Sequence, residues 1–173
     1  MEAFVILLMA SIGFGVTMLL RGRQMTPPQR LERAVQWLFG GAGAWLLFAA
    51  LGHLFYADQV AESIGWAPGS PFQREIGFSD LAWGVLGLLC IRMRGTFREA
   101  FVLGTWIFLW GAAGGHIYEM IAEDNFSRNN SGLLLAIDIL LPVACAALLW
   151  KLRGLEKGSE ARAGFSLGAA RGD

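Results

Sequence analysis

Charge is scarce in this sequence. Only 16% of its 173 residues are Asp, Glu, Lys or Arg, where a soluble domain carries about a quarter. Neither sign prevails, since 14 basic residues meet 14 acidic ones, and a nucleic-acid binder would need a basic face. Two cysteines cannot build the disulfide framework of a small secreted domain. The chain has no internal repeat, no Gly-rich phosphate loop and no nucleophile elbow, so none of these motifs points to a nucleotide or a hydrolytic reaction.

In place of charge the chain has long apolar runs. Hydrophobic residues make up 55% of it and the mean hydropathy is +0.49. There are 18 uncharged residues between Glu2 and Arg21, 24 between Arg33 and Asp58, and 19 between Glu99 and Glu119. About 20 mostly apolar residues suffice to cross a bilayer as a helix. A fourth run, from Asn129 to Trp150, is broken only by Asp138. A fifth, from Pro71 to Ile91, carries Arg74, Glu75 and Asp80. It opens on Ser70, Pro71 and Gln73, which read as an N-cap, a first-turn proline and a capping box.

The expected fold is therefore all-α: an integral membrane bundle of five transmembrane helices near 3–20, 34–55, 71–92, 100–121 and 131–150. Residues 57–66 read as a short interfacial helix, and 151–173 as a disordered cytoplasmic tail rich in Gly, Ala and charge. The first run lacks a basic leader and a small-residue cleavage site, so it reads as a retained helix. Twelve of the fourteen basic residues fall in the 21–33 loop, the 92–99 loop or the tail, leaving Arg74 and Arg128 opposite. The positive-inside rule then places the N-terminus outside and the C-terminus in the cytoplasm.

The titratable residues inside these helices share one level. At about 1.5 Å per residue, His53 and Glu119 lie about 3 Å below the outer helix ends. Glu75 lies about 6 Å, His116 about 8 Å, Asp138 about 10 Å and Asp80 about 14 Å below them. An unpaired carboxylate inside a bilayer is costly, so such residues turn inward and mark sites by default. His116 and Glu119, three apart, share a helix face. Pro142 cannot donate to the Asp138 carbonyl, which leaves an acceptor beside an acid. Gly111 with Gly115, Gly40 with Ala44, and Gly84 with Gly87 offer small faces for close helix packing.

Three readings follow from these residues. The first is a ligand- or proton-binding site built from His53, Glu75, Asp80, His116, Glu119 and Asp138, in which carboxylates attract a cation or proton and imidazoles act as ligands or shuttles. A metal form of it would use His53, His116, Glu119 and Asp138 for a transition metal, Zn, Fe or Mn, and would make a metal-dependent membrane enzyme. The second is an accessory or scaffold subunit whose Gly and Trp faces dock a membrane-protein partner or a second copy. The third is that each polar group is simply hydrogen-bonded within the bundle.

The runs GHLFYADQVAESIGWAPGSPFQREIGF (52–78), GHIYEM (115–120), NFSRNNSG (125–132) and DILLP (138–142) resemble the blocks of a family of small bacterial multi-span membrane proteins of unknown function. The resemblance covers about 35–150 and leaves out the first helix and the tail. It implies a bacterial inner-membrane, multi-pass setting and a lipid bilayer as surroundings, and carries no activity with it.

Overall fold

The protein is described by a computed structural model over residues 2–169, with side chains for Ile6 and for Met9 to Gly158. Among the described residues every regular element is helical. In chain order these are α1 (Glu2–Arg21), a 3-10 turn (Gly22–Gln24), α2 (Pro27–Phe55), α3 (Ala57–Ile64), α4 (Phe72–Leu89), α5 (Thr96–Ala122), α6 (Arg128–Ser131) and α7 (Leu133–Ala169). Three stretches, Pro27–Phe55, Thr96–Ala122 and Arg128–Gly158, are long and apolar enough to cross a membrane.

The helices begin where local chemistry permits. Pro27 opens α2 at a position where its missing N–H is no loss, and the Gln29 side chain accepts from the Thr26 N–H at 2.8 Å. Gly65, at φ 90°, ends α3. The Trp66 N–H reaches back to the Ala61 carbonyl and the Gly65 N–H to that of Glu62, the paired bonds of a Schellman ending. This ending turns the chain at Trp66, and α3 itself faces Ala61 and Ile64 into the bundle.

Two helices approach unusually closely. On α2, a Cβ at Gly43 would come within 2.7 Å of the Gly84 carbonyl oxygen and the Leu88 nitrogen of α4. A Cβ at Gly87 would meet the Gly43 Cα at 2.7 Å. The two backbones touch here because all three residues lack a side chain. Around this contact lies a core of Val35, Phe39, Leu46, Phe101, Leu109 and Cys145, with the Phe39 and Phe101 rings 5.4 Å apart.

Near the start of α2 a buried ion pair joins three elements. Arg98 of α5 is 1% exposed, and its two terminal nitrogens donate to the Glu32 carboxylate at 2.8 and 3.0 Å. Its Nε donates to the Cys90 carbonyl at 2.8 Å, which closes the end of α4. Arg94 adds a second cation at 3.1 Å from Glu32, and Gln36 links Glu32 to the Ile91 carbonyl.

Four expectations change. The helices overrun the charge-free runs: α2 begins at Pro27 and α5 at Thr96, so Glu32 and Arg98 are helical and buried or half-buried rather than loop residues. The capping box at the start of α4 does not form. Pro71 is the N-cap, the Ser70 hydroxyl accepts from the Phe72 N–H at 3.3 Å, and Gln73 is drawn inward to an imidazole. Of the small-residue faces, Gly84 and Gly87 pack as expected, but against Gly43. Gly111 and Gly115 have open space where a Cβ would stand. Finally, α7 continues as helix through 151–169 instead of passing into an irregular tail. Leu152 stays buried at 3% exposure and Arg153 pairs with Glu99 at 2.7 Å, so the first turn beyond Trp150 is still held to α5. Residues 170–173 of the expected tail lie outside the described residues.

Gly43→Val should force α2 and α4 apart and lower stability by about 1–3 kcal/mol, the usual cost of overpacking a tight contact. Gly114→Ala, where a Cβ meets nothing, should leave stability within about 1 kcal/mol of wild type. Thermal melts of the purified variants in one detergent check both.

Candidate functional site

The ends of α2 and α5 distant from the Arg98 cluster carry the only two histidines. Each imidazole is held the same way: one nitrogen meets a carboxamide and the other faces an aspartate on a different helix.

On one side, His53 of α2 has its Nδ1 2.6 Å from Gln73 Oε1 and its Nε2 3.8 Å from Asp80 Oδ2. Gln73 and Asp80 both belong to α4 and are 1% and 4% exposed. They stand seven residues apart, two helical turns, and so lie on one face. That face is brought to His53 by the Gly43 contact and by Gly77, where a Cβ would strike the Leu54 side chain and come within 3.2 Å of His53 Cβ. The Gln73 Nε2 is buried without a hydrogen-bond partner.

On the other side, His116 of α5 has its Nδ1 2.7 Å from Asn130 Oδ1 and its Nε2 3.9 Å from Asp138 Oδ2 on α7. Asn130 is fully buried in the short helix α6. Its Nδ2 donates to the His116 carbonyl at 3.2 Å and the Asn125 carbonyl at 2.7 Å. Carbonyl oxygens only accept, so the orientation of this amide is settled and Oδ1 must accept from His116. His116 therefore carries its proton on Nδ1, and its Nε2 turns a lone pair toward Asp138. Two acceptors facing each other repel. One proton, on the imidazole or on the carboxyl, converts the pair into an attraction.

Both pairs border one cavity of about 570 Å³, whose wall includes His53, Asp80, His116 and Asp138 together with Trp45, Trp66, Phe72 and Phe108. Gly111 and Gly115 also line it, which gives their missing side chains a role: they leave room. Among the described residues no lysine or arginine lines this cavity.

The loop after α3 forms part of the wall. Trp66 stacks on His116 with ring centroids 6.4 Å apart and planes 22° from parallel, and it meets Phe72 at 6.1 Å. Its Nε1 donates to Glu119 Oε1 at 2.5 Å. The other Glu119 oxygen accepts from Asn125 Nδ2 at 2.9 Å, and Asn125 also reaches the Ile64 carbonyl. A Cβ at Gly65 would collide with Asn125 and Ser127.

Of the six residues nominated from sequence, four border the cavity and two do not. Glu119 shares the helix with His116 but turns to Trp66 and Asn125, acting as a brace behind the wall. Glu75 is exposed and lies away from the cavity lining. Among the described residues no three His, Cys, Asp or Glu side chains gather closely enough to hold a metal ion. The four metal candidates do not form one donor set. His53, His116 and Asp138 are divided between two pairs, and Glu119 is spent on an indole and an amide.

Sequence reasoning passed over Gln73, Asn130, Trp66 and Asn125. Gln73 and Asn125 lie in runs that carry the family resemblance, and Asn130 falls in the same block as Asn125. What distinguishes Gln73 and Asn130 is a buried carboxamide beside an imidazole, and such a pairing between separate elements has no local spacing to betray it.

Described residues whose regular elements are all helical, three of them long and apolar enough to cross a membrane, around a mainly apolar cavity with two imidazole–carboxylate pairs, fit the class of multi-helix membrane proteins. More narrowly, the chain belongs to DUF6790, a family of unknown function, whose family model matches residues 1–158. The match takes in the first helix, which the resemblance read from sequence had left out. No curated protein and no solved structure matches this chain.

With only two histidines, ¹⁵N-histidine NMR of the protein, with His53→Gln to isolate one ring, should show His116 protonated at Nδ1. Asn130→Ala should release it to a mixture of tautomers. A neutral His116 protonated at Nε2 in the wild type would contradict the assignment.

Proposed function

We propose that this protein is a multi-pass membrane protein whose interhelical cavity binds a cation or handles protons through two imidazole–carboxylate pairs, His53–Asp80 and His116–Asp138. The observation that carries this reading is the occurrence of both pairs on the wall of one otherwise apolar cavity. Buried acids in such a setting are expensive, and here each faces an imidazole rather than a permanent cation. A protein that needed only structural hydrogen bonds could satisfy these positions with neutral side chains. The imidazole is also the side chain whose charge changes most readily near neutral pH.

In the same reading α1 and α4 accompany the three apolar helices across the bilayer, giving five spans. The support is that α1, 20 residues long, packs on α2, and that α4 lies along α2 through the glycine contact. The N-terminus then lies outside and the C-terminus in the cytoplasm of a bacterial inner membrane, in keeping with the twelve basic residues on one side. The cavity falls in the periplasmic half, and residues 1–150 form a single transmembrane domain.

In lipid nanodiscs at neutral pH, each pair should hold one proton. Infrared spectroscopy reads it as a protonated carboxyl, and ¹⁵N NMR reads it as an imidazolium. Asp80→Asn and Asp138→Asn should each remove the signal of one pair. Two bare imidazoles facing two ionised carboxylates would overturn the reading.

A further inference from the structure

The composition of the cavity wall narrows what it can take. Apart from the imidazoles its titratable groups are of one kind: Asp80 and Asp138 line it, and among the described residues no lysine or arginine does. An anion would therefore meet carboxylates without a permanent counter-charge. Without the proton of its pair, the His116 imidazole, which donates through Nδ1 to Asn130, offers a lone pair at Nε2. The polar equipment is thus made mostly of acceptors.

A small inorganic cation is poorly served. Calcium takes about 6–8 oxygen ligands and magnesium an octahedron of them. No three acid or imidazole side chains converge on one point among the described residues, and much of the wall is hydrocarbon. A neutral lipid tail would fit the apolar wall but would leave two buried carboxylates without purpose. The wall also presents four aromatic side chains, Trp45, Trp66, Phe72 and Phe108. Aromatic faces attract weakly hydrated organic cations, and more strongly once water is excluded. A volume of about 570 Å³ falls in the range of small-molecule sites.

We infer that the cavity binds a lipophilic organic cation in exchange for protons of the two pairs, which leave to solvent, its charge directed to Asp80 and Asp138 and its hydrocarbon to Trp45, Trp66, Phe72 and Phe108. This rests on the reading of the two pairs as a cation- or proton-binding site and names the ligand class for it. Trp66 holds a central place in this arrangement. It is anchored by Glu119 and backed by His116, so its ring is set in advance of binding.

The test uses the full chain in lipid nanodiscs, with tetraphenylphosphonium as probe and tetraphenylborate as its anionic counterpart of similar shape. Equilibrium binding should be saturable for the phosphonium and absent for the borate, beyond the uptake of empty nanodiscs. Asp80→Asn and Asp138→Asn should each weaken phosphonium binding about tenfold, and Trp45→Leu about fivefold, as expected for loss of a charge or an aromatic face at a desolvated site. Gly111→Leu, which adds bulk to the cavity wall where a Cβ meets nothing, should abolish binding. Each variant is compared by its thermal melt, so that a misfolded protein is not counted. Equal binding of both ions, no saturable phosphonium binding by the wild type, or affinity indifferent to both Asn variants overturns the inference. If the protons are found on the pairs but no organic cation binds, the ligand class fails while the proton-handling site stands. If neither is found, both fall.

Discussion

The contact of Gly43 with Gly84 and Gly87 sets the geometry on which the rest of the structure depends. Bringing two helix backbones together removes the volume of several side chains from between them, and it aligns α2 and α4 along their lengths. The consequences appear at both ends. At one, Gln36 of α2 reaches the Ile91 carbonyl just past the end of α4 and Glu32 meets Arg98, which closes on the Cys90 carbonyl. At the other, His53 of α2 meets Gln73 and Asp80 of α4. A single methyl group in the contact would disturb both.

The polar cavity follows from what must be satisfied inside a low-dielectric bundle. An imidazole buried among hydrocarbon needs partners for both nitrogens. A carboxamide serves one nitrogen without adding charge, and thereby reserves the other for the aspartate. At His116 the arrangement is over-determined, because Asn130 also caps two carbonyls of its own surroundings. At His53 the amide has no second partner, and the pair is correspondingly less constrained. The two sites resemble each other in chemistry while differing in how firmly the imidazole is oriented.

Much of this was readable beforehand, and for a reason. Counting residues from helix ends placed His53, Glu75, Asp80, His116, Glu119 and Asp138 near one level, because rise per residue is constant, and four of the six border the cavity. The readings that failed were those that needed a neighbour. Gln73 fitted a capping box by spacing, but the nearby imidazole is the stronger claim on its side chain. Gly111 and Gly115 fitted a packing motif, but among the described residues nothing stands where their Cβ atoms would be, and they border the cavity. Glu32 and Arg98 were assigned to loops because charge ended the apolar runs, whereas a bidentate pair let both helices continue through them. Glu119 shared a face with His116, yet the indole of Trp66, set in place by the α3 ending, drew it away.

By itself the sequence determined the helical class, the apolar lengths, the asymmetry of basic residues and the common level of the buried titratable groups. These depend on composition and on the fixed geometry of a helix. Only the tertiary structure decided which acid faces which imidazole, which amide orients it, which glycines touch and which stand open to a cavity. Rotation of one helix against another is set by packing across the bundle, and no spacing along one chain segment encodes it.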